Sequence, residues 1–321
     1  MGSQGEGYHA ATIQRRLAAL DSSEWLPSPR SAEVVDLSSG AYHQNFLVCC
    51  EGKFSVARLN LSSQWGLTKR NQLEREAKVL RAVEGSGVTP EFVALLDGDP
   101  PILVETFIDG HEFCYGAATD SVAQALAAVH TYTAGRGDWL PPTEPVSFLF
   151  DDGSRLLASM SLEDRGLAEA ARLLVGCQDA RSSAAPLRAS SDVVVHTDLI
   201  HSNILERADG CRIIDWEGAR RGPAEWDLAY FLSPVTLRWA PEQAVQMSRL
   251  EVDRFIQTYA RAVGLAADSI TESIHALMPA VVFRSLAWCV AKASEAPPVG
   301  GSVLADIASL AYIESLMHIF E

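Results

Sequence analysis

Acidic and amide side chains in the second half of the chain have the spacing of a phosphoryl-transfer site. Asp198 follows His196, Asn203 comes at the end of the same short loop, and Asp215 ends the next hydrophobic segment. In such a site one carboxylate accepts the proton of an attacking hydroxyl, while an amide and a second carboxylate hold Mg²⁺ on the nucleotide phosphates. Aspartate is also common at turns and strand ends. The complete set nevertheless predicts Asp198 as the base and Asn203 and Asp215 as the metal ligands.

The segments around this set predict strands that bring it together. Residues 193–195 are all valine, which favours a strand that delivers the loop at 196–203. Asp209 and Gly210 then predict a hairpin turn between two short hydrophobic segments. A hairpin of this length would place Asn203 beside Asp215, and the oxygen atoms of these side chains suit a hard cation such as Mg²⁺.

A second motif follows shortly afterwards and makes the pattern more specific. It reads Gly222-Pro223-Ala224-Glu225-Trp226-Asp227-Leu228-Ala229. Together with the loop, it resembles the signature of the aminoglycoside phosphotransferase and choline kinase-like superfamily, whose members phosphorylate small molecules. The chain departs from this signature at Thr197, where the family has glycine, and before Pro223, where the family has an aspartate. Neither departure removes a charged catalytic group.

The resemblance implies an α+β, protein-kinase-like fold with two lobes. Residues 1–110 would form the N-lobe, with an N-terminal helix, a small, mainly antiparallel nucleotide-binding sheet with one helix, and a hinge at about 104–110. Residues 111–321 would form a larger, mainly helical C-lobe. This lobe would carry the catalytic loop at 196–203, the metal-binding Asp215 and the substrate-binding helices.

The resemblance also implies a cation on a strand of the N-lobe that binds the nucleotide phosphates. Arg58 occupies this position in place of the usual lysine, on the same strand face as Val56, which would contact the adenine. Arginine keeps the charge and can bind phosphate through two hydrogen bonds, so the role survives the replacement. In this family a helix glutamate pairs with the cation, and Glu76 is the predicted partner. Lys53 and Glu74 are the competing choices for the two positions.

Two further segments are expected at the nucleotide. Ser39 and Gly40 belong to a small-residue loop between two predicted strands, which has the right shape for a lid over a triphosphate. By resemblance, backbone groups of the hinge at Glu105, Thr106 and Phe107 would bind the adenine. The expected donor is ATP or GTP, with Mg²⁺ as cofactor, and the choice between the two nucleotides stays open.

Candidate contacts to the acceptor come from segments that build the substrate pocket in this family. They are Asp151, Asp152, Glu225, Trp226 and Trp288. The alternative interpretation is that the acids are solvated and that the tryptophans belong to the core. A formal net charge of −15 would attract a cationic substrate, such as a polyamine or an amino sugar, and it would equally serve solubility.

Composition argues against several other classes of protein. The acidic net charge disfavours nucleic acid as a partner, because phosphates demand a basic surface. The sequence holds no long uncharged apolar run, and its polar N-terminus lacks the core of a signal peptide, so we expect a cytoplasmic protein that spans no membrane. The six cysteines show no C-x-x-C spacing and are interpreted as free thiols. Both a monomer and a dimer are compatible with these features.

Three functions fit these residues. The first is a kinase that inactivates an antibiotic by phosphorylating a hydroxyl and so confers resistance. The second is a kinase of a primary metabolite such as choline, homoserine, methylthioribose or a sugar. The third is a non-catalytic, kinase-like binding protein, against which the intact Asp198, Asn203 and Asp215 argue. Motif spacing and a composition rich in arginine and alanine favour the antibiotic kinase, by association alone.

Overall fold

The computed structural model arranges the chain in two compact units. The first unit comprises Met1–Gly110 together with Ile213–Glu217, and the second comprises His111–Arg212 and Gly218–Glu321. The sequence assigns Asp215 to the second domain, whereas the structure groups its segment with the first unit. The residues that the structure describes are 2–39, 43–62, 66–116, 119–136, 139–160, 163–179, 192–240, 246–295 and 302–320.

The first unit is built on an antiparallel sheet with helices. Its described strands are β1 Glu33–Ser39, β2 His43–Cys50, β3 Lys53–Asn60, β4 Phe92–Leu96 and β5 Ile102–Thr106. They lie in the order β1-β2-β3-β5-β4. The helices are α1 Gly2–Leu17 and α2 Lys69–Val83.

Local chemistry explains how these elements begin and turn. Glu51 and Gly52 connect β2 to β3 with φ of +49° and +76°, and such a turn twists in the same sense as the strands that it joins. Thr68 begins α2, because its hydroxyl accepts a hydrogen bond from a backbone N–H of the first turn. Arg16 anchors α1, since its guanidinium donates to the carbonyl oxygen of Leu96 at 2.9 Å.

A hydrophobic core joins α1 to the sheet. Ile13 and Leu17 of α1 are fully buried. They belong to one cluster with side chains of β2, β3 and β5, namely Phe46, Val48, Ala57, Leu59, Ile102 and Val104. Full burial of one such aliphatic or aromatic side chain contributes about 1.5–3 kcal/mol, so this cluster fixes the sheet that carries Arg58.

The second unit is mainly helical. Its described helices are α3 Thr119–Thr133, α4 Pro145–Ala158, α5 Arg165–Gly176, α6 Glu225–Leu232, α7 Pro234–Arg238, α8 Arg249–Val263, α9 Ala267–Glu295, α10 Val303–Ile307 and α11 Leu310–Ser315. Its described strands are β6 His111–Glu112, β7 Asp192–Val195, β8 Ile204–Arg207, β9 Gly210–Ile213 and β10 Arg220–Pro223. They form one sheet in the order β6-β8-β9 and a second from β7 and β10.

The long helix α9 is a core element of this unit. By length and composition it could cross a membrane, but 67% of its most apolar window is buried inside the protein. Its Phe283 packs against Phe150 of α4 with ring centroids 4.7 Å apart. Gly153 of α4 allows this close approach, because a Cβ atom there would lie 2.6 Å from the Phe283 ring.

Candidate active site

Arg58 on β3 is the centre of a buried charge cluster in the first unit. Its Nη1 lies 3.0 Å from Oε1 of Glu76 on α2 and 3.9 Å from Oε1 of Glu105 on β5. Its Nη2 lies 2.5 Å from Oδ1 of Asp215. One buried guanidinium therefore faces three carboxyl groups, which leaves the cluster with an excess of acidic side chains.

The competing residues from the sequence lie elsewhere in the first unit. Lys53 is exposed at the start of β3. Glu74 forms a surface ion pair with Arg70, with Nε and Oε1 2.8 Å apart. The geometry therefore favours Arg58 and Glu76 over these alternatives, and the role of the pair toward a nucleotide stays a prediction.

Burial and charge together set the protonation of the cluster. Burial raises the pKa of Glu105 to about 7, against the lowering influence of Arg58. Burial also raises the pKa of Glu76. Burial alone would lower the pKa of Arg58, but the carboxylates of Asp215, Glu76 and Glu105 outweigh it and raise that pKa well above its ordinary value. Arg58 therefore stays cationic, as a phosphate-binding group must.

Two side chains to which the sequence assigned no role accompany Asp215. Nδ1 of His43 lies 3.0 Å from Oε2 of Glu217, and the potential ligand atoms of His43, Asp215 and Glu217 all lie within 4.8 Å of one another. The carboxylate oxygens suit Mg²⁺, and the Asp215 side chain is 33% exposed. This donor set fits a divalent cation. Glu217 could have been found from its place two residues after Asp215, whereas nothing in the sequence marks His43.

The predicted hinge contacts are only partly available in the structure. Thr106 donates its backbone N–H to the carbonyl oxygen of Glu91 at 3.0 Å, and its hydroxyl accepts from the Glu91 N–H at 2.9 Å. The N–H of Phe107 lies 3.5 Å from the carbonyl oxygen of Phe54. The Thr106 N–H is therefore committed to the protein itself, which removes it as an adenine donor.

The other predicted nucleotide residues have mixed outcomes. Val56 is half-buried on β3 and pairs in register with Glu105. Ser39 ends β1, but its side chain lies outside the described part of the structure, and so does Gly40. Contacts of these three residues with a nucleotide stay predictions.

The predicted catalytic loop follows β7 in the second unit and is held by Asp227 of α6. Oδ2 of Asp227 accepts the backbone N–H of His196 at 2.8 Å, and Oδ1 accepts that of Thr197 at 2.8 Å. His130 of α3 supports this carboxylate, because its Nε2 lies 3.1 Å from Oδ2 while Nδ1 lies 2.9 Å from the hydroxyl of Tyr259. A buried carboxylate thus fixes the start of the loop through two charge-assisted hydrogen bonds.

The backbone conformation at Thr197 shows why glycine suits this position of the family signature. Its φ is +68°, a left-handed conformation that glycine adopts without steric cost. The threonine side chain is held in this conformation by a hydrogen bond from its hydroxyl to the carbonyl oxygen of Gly218 at 3.0 Å. Threonine at position 197 is therefore accommodated in the left-handed conformation that this loop requires.

Asp198 is positioned by two side chains of the second unit. The hydroxyl of Tyr230 on α6 donates to Oδ1 of Asp198 at 3.1 Å. Nδ2 of Asn203 donates to the backbone carbonyl oxygen of Asp198 at 2.9 Å and lies 3.5 Å from its Oδ2. Burial, together with the charge of Asp198, raises the pKa of Tyr230, so the phenol keeps the proton that it donates. The sequence prediction overlooked Tyr230, although it lies one helical turn after Asp227.

The predicted acceptor contacts are largely occupied by the protein itself. Asp152 is buried between Arg155 at 2.5 Å and Arg284 at 3.1 Å. These arginines lower its pKa although burial acts in the opposite direction. Both carboxylate oxygens of Asp152 are therefore paired within the protein, and its contact with the acceptor stays a prediction.

The remaining acceptor candidates divide between core and partly exposed positions. Glu225 and Trp226 are buried at the start of α6, and the Trp226 ring packs against Phe148 at 5.8 Å. Both side chains are therefore packed within the protein, and their contact with the acceptor stays a prediction. Trp288 is half-buried on α9, while Asp151 is exposed on α4, and both remain candidates.

Comparisons with known proteins identify the family. A profile of the phosphotransferase enzyme family matches residues 33–268, and the chain belongs to this family. The solved structure of an ethanolamine kinase from Plasmodium vivax superposes with a TM-score of 0.66 at 15% identity, covering 91% of this chain and 83% of that chain. A microcompartment-associated aminopropanol kinase gives 0.65 at 19% identity, covering 97% and 98%. A spectinomycin phosphotransferase in complex with ADP and spectinomycin gives 0.55 at 13% identity, covering 90% and 87%. None of the curated proteins matches the chain.

These matches confirm the predicted superfamily and the predicted kinase-like α+β fold. The protein is an ATP-dependent O-phosphotransferase that acts on a small molecule. The superposed structures include kinases of metabolites and a kinase of an antibiotic, so membership of the family does not separate these two classes of acceptor.

Proposed function

We propose that the protein transfers the γ-phosphate of ATP or GTP to a hydroxyl of a small molecule, with Asp198 as the base. The observation that carries this proposal is the double restraint on Asp198. Tyr230 holds its carboxylate, and Asp227 holds the two residues before it on the loop. A general base works only if its carboxylate stays within hydrogen-bond reach of the hydroxyl that it deprotonates.

Asp215 and Glu217 of the first unit are the residues proposed to hold Mg²⁺, and Asn203 stays a metal ligand predicted from the sequence alone. The bound cation would neutralise charge on the transferring phosphoryl group. Arg58 would bind the α- and β-phosphates, and its ion pair with Glu76 holds the guanidinium in place. The excess of carboxyl groups around Arg58 supports a site that binds its phosphates together with a divalent cation.

We favour a small metabolite over an antibiotic as the acceptor. Two of the candidate acids are poor partners for a cationic antibiotic, because Asp152 is paired with two arginines and Glu225 is buried. An antibiotic hydroxyl is the second candidate, since the spectinomycin phosphotransferase shares the fold. We place the reaction in the cytoplasm, which supplies both the nucleotide and Mg²⁺.

Phosphoryl transfer to a mixed panel tests the proposal. Purified protein is incubated with Mg-ATP or Mg-GTP and a set of metabolites and antibiotics, and adducts are detected by mass spectrometry. One acceptor should gain a phosphoryl group, and Asp198→Asn should lower kcat by roughly 10²-fold or more, since general-base catalysis contributes about 10²–10⁴-fold. The KM for nucleotide should stay nearly unchanged, because the substitution leaves the phosphate-binding groups in place. Normal turnover by the variant would contradict the assignment of the base.

A further inference from the structure

Arg284 is a charged residue in the most buried part of α9. Between Ala280 and Val290 every residue is buried except Arg284 and Trp288. These two are one helical turn apart and therefore share a face of the helix. Trp288 meets the ring of Trp239 edge to face, with centroids 6.2 Å apart. This partly exposed face thus combines a guanidinium with an aromatic pair.

The guanidinium of Arg284 is held at one edge only. Its Nε donates to Oδ2 of Asp152 at 3.1 Å. Within the described residues its two terminal amino groups make no hydrogen bond, and the side chain is 19% exposed. A buried arginine normally fills its donors with carboxylate or carbonyl oxygens. The unfilled pair of amino groups is the fork that binds the two oxygens of a planar anion.

Arg284 lies on α9, which packs against α6, the helix whose Tyr230 holds the proposed base. Burial lowers the pKa of Arg284, but Tyr230, Asp152 and Asp198 together raise it above the ordinary arginine value. Tyr230 connects the two sites, because its hydroxyl donates to Asp198 at 3.1 Å. Because α6 contacts both Asp198 and α9, we expect a molecule whose hydroxyl reaches Asp198 to present its other groups to the face of α9 that carries Arg284.

We propose that Arg284 binds a carboxylate of the acceptor and that the phosphorylated molecule is a small hydroxy acid. This inference rests on the proposed function, because it assumes that the acceptor hydroxyl lies at Asp198. Asp152 fixes the guanidinium through its Nε edge, which directs the two terminal amino groups away from the anchoring carboxylate. The Trp239 and Trp288 rings then offer an apolar surface to the carbon skeleton.

Matched pairs of acceptors test this inference directly. L-Serine and ethanolamine, L-threonine and 1-amino-2-propanol, and L-homoserine and 3-amino-1-propanol each differ by one carboxylate. Wild-type protein with Mg-ATP should phosphorylate the acid of at least one pair, with kcat/KM about tenfold or more above that of its amino alcohol, as a hydrogen-bonded charged contact provides.

Variants of Arg284 and Arg155 test whether Arg284 causes the preference for the acid over its amino alcohol. Arg284→Gln should lower kcat/KM for the acid to the value for its amino alcohol. Arg284→Lys should retain part of the difference in kcat/KM, because lysine keeps the charge but lacks the two amino groups of the guanidinium. Arg155→Gln is the matched control, since it removes the other guanidinium on Asp152 from a mainly exposed position. It should leave the preference unchanged. In the Arg284→Gln protein, Asp152 still has Arg155 as an ion-pair partner. Thermal unfolding of each variant verifies that it is folded.

Four outcomes would overturn the inference. They are phosphorylation of none of the three acids, a preference for the amino alcohols, an equal loss for both members of a pair in Arg284→Gln, and a rise in the nucleotide KM with the acceptor preference intact. The last outcome would place Arg284 on the nucleotide γ-phosphate. Failure of the proposed function is distinguishable, because then no acceptor of any class would be phosphorylated and Asp198→Asn would change nothing.

Discussion

Tyr230 is the side chain that ties the proposed base to a helix. Tyr230→Phe removes the hydrogen bond to Oδ1 of Asp198, and a hydrogen bond to a charged group contributes about 1.5–3 kcal/mol. We expect kcat to fall by about tenfold, with the nucleotide KM unchanged. Tyr115→Phe is the matched control, because the Tyr115 hydroxyl is buried and has no hydrogen-bond partner among the described residues. Equal kinetics for the two variants would remove Tyr230 from the positioning of Asp198.

Substitutions at Arg58 and Lys53 test which cation of β3 binds the nucleotide phosphates. Arg58→Ala should raise the nucleotide KM or lower turnover by roughly ten- to a hundredfold, the equivalent of about 1.5–3 kcal/mol for a charged contact to phosphate. It should also lower the free energy of unfolding, since Glu76 and Glu105 lose their buried partner. Arg58→Lys should retain part of the function, and Lys53→Ala should do little, because Lys53 is exposed. Nucleotide titration measures KM and turnover for each variant. A larger effect of Lys53→Ala than of Arg58→Ala would show that the assignment of Arg58 as the phosphate-binding cation is wrong.

At the scale of elements, the contact between α4 and α9 controls stability. Gly153→Ala would place a Cβ atom 2.6 Å from Cε1 of Phe283 and 3.3 Å from the backbone of Arg284. We expect a loss of about 1–3 kcal/mol in the free energy of unfolding, the usual range for overpacking. Gly176→Ala at the end of α5 meets no atom within 4 Å and should be neutral or slightly stabilising. Urea unfolding compares the two, and similar midpoints would contradict the tight helix contact.

Elements with local signals were predicted close to their observed positions. The three valines that predict a strand lie in β7 at Asp192–Val195. The predicted hairpin turn is shifted by one residue, because β8 ends at Arg207 and β9 already begins at Gly210. Helix α6 shows the limit of such signals, because all eight of its residues are buried. A motif alone does not reveal that Glu225 and Trp226 face the core.

At the scale of the whole molecule, we predict that stability falls as the pH rises toward neutrality. Burial raises the pKa of Glu105 from 4.5 to about 7, so the folded protein holds a proton that the unfolded chain has released. The stabilisation is therefore fully present below pH 4.5 and is lost as the pH rises to about 7. At about 1.4 kcal/mol for each unit of pKa, the loss is on the order of 3 kcal/mol.

Glu105→Gln tests this pH dependence. The amide is neutral at every pH, so the variant should gain stability over wild type above pH 7, and the gain should shrink as the pH falls toward 4.5. Urea unfolding between pH 4.5 and 8 measures the difference, which isolates Glu105 from His43 and Glu76, whose pKa values are also raised. A difference that does not vary with pH would show that Glu105 titrates normally.

The sequence by itself determined the class of chemistry and the fold family. Asp198, Asn203 and Asp215 are recognisable because phosphoryl transfer needs these groups at a short spacing along the chain, and the family match over residues 33–268 confirms the class. Their individual roles stay predictions. Arg58 and Glu76 followed from the same resemblance, and the structure pairs them at 3.0 Å.

Only the tertiary structure decided which charges are available to a ligand. Asp152 and Arg284 are 132 residues apart in the chain, and Tyr230 lies 32 residues from Asp198. Such pairs arise when packing brings distant helices together, and no local periodicity encodes them. Burial then decides the chemistry, because a carboxylate removed from water must be paired or protonated. For this reason Asp152 is an anchor for Arg284, and Arg284, to which the sequence assigned no role, is the proposed contact for the acceptor.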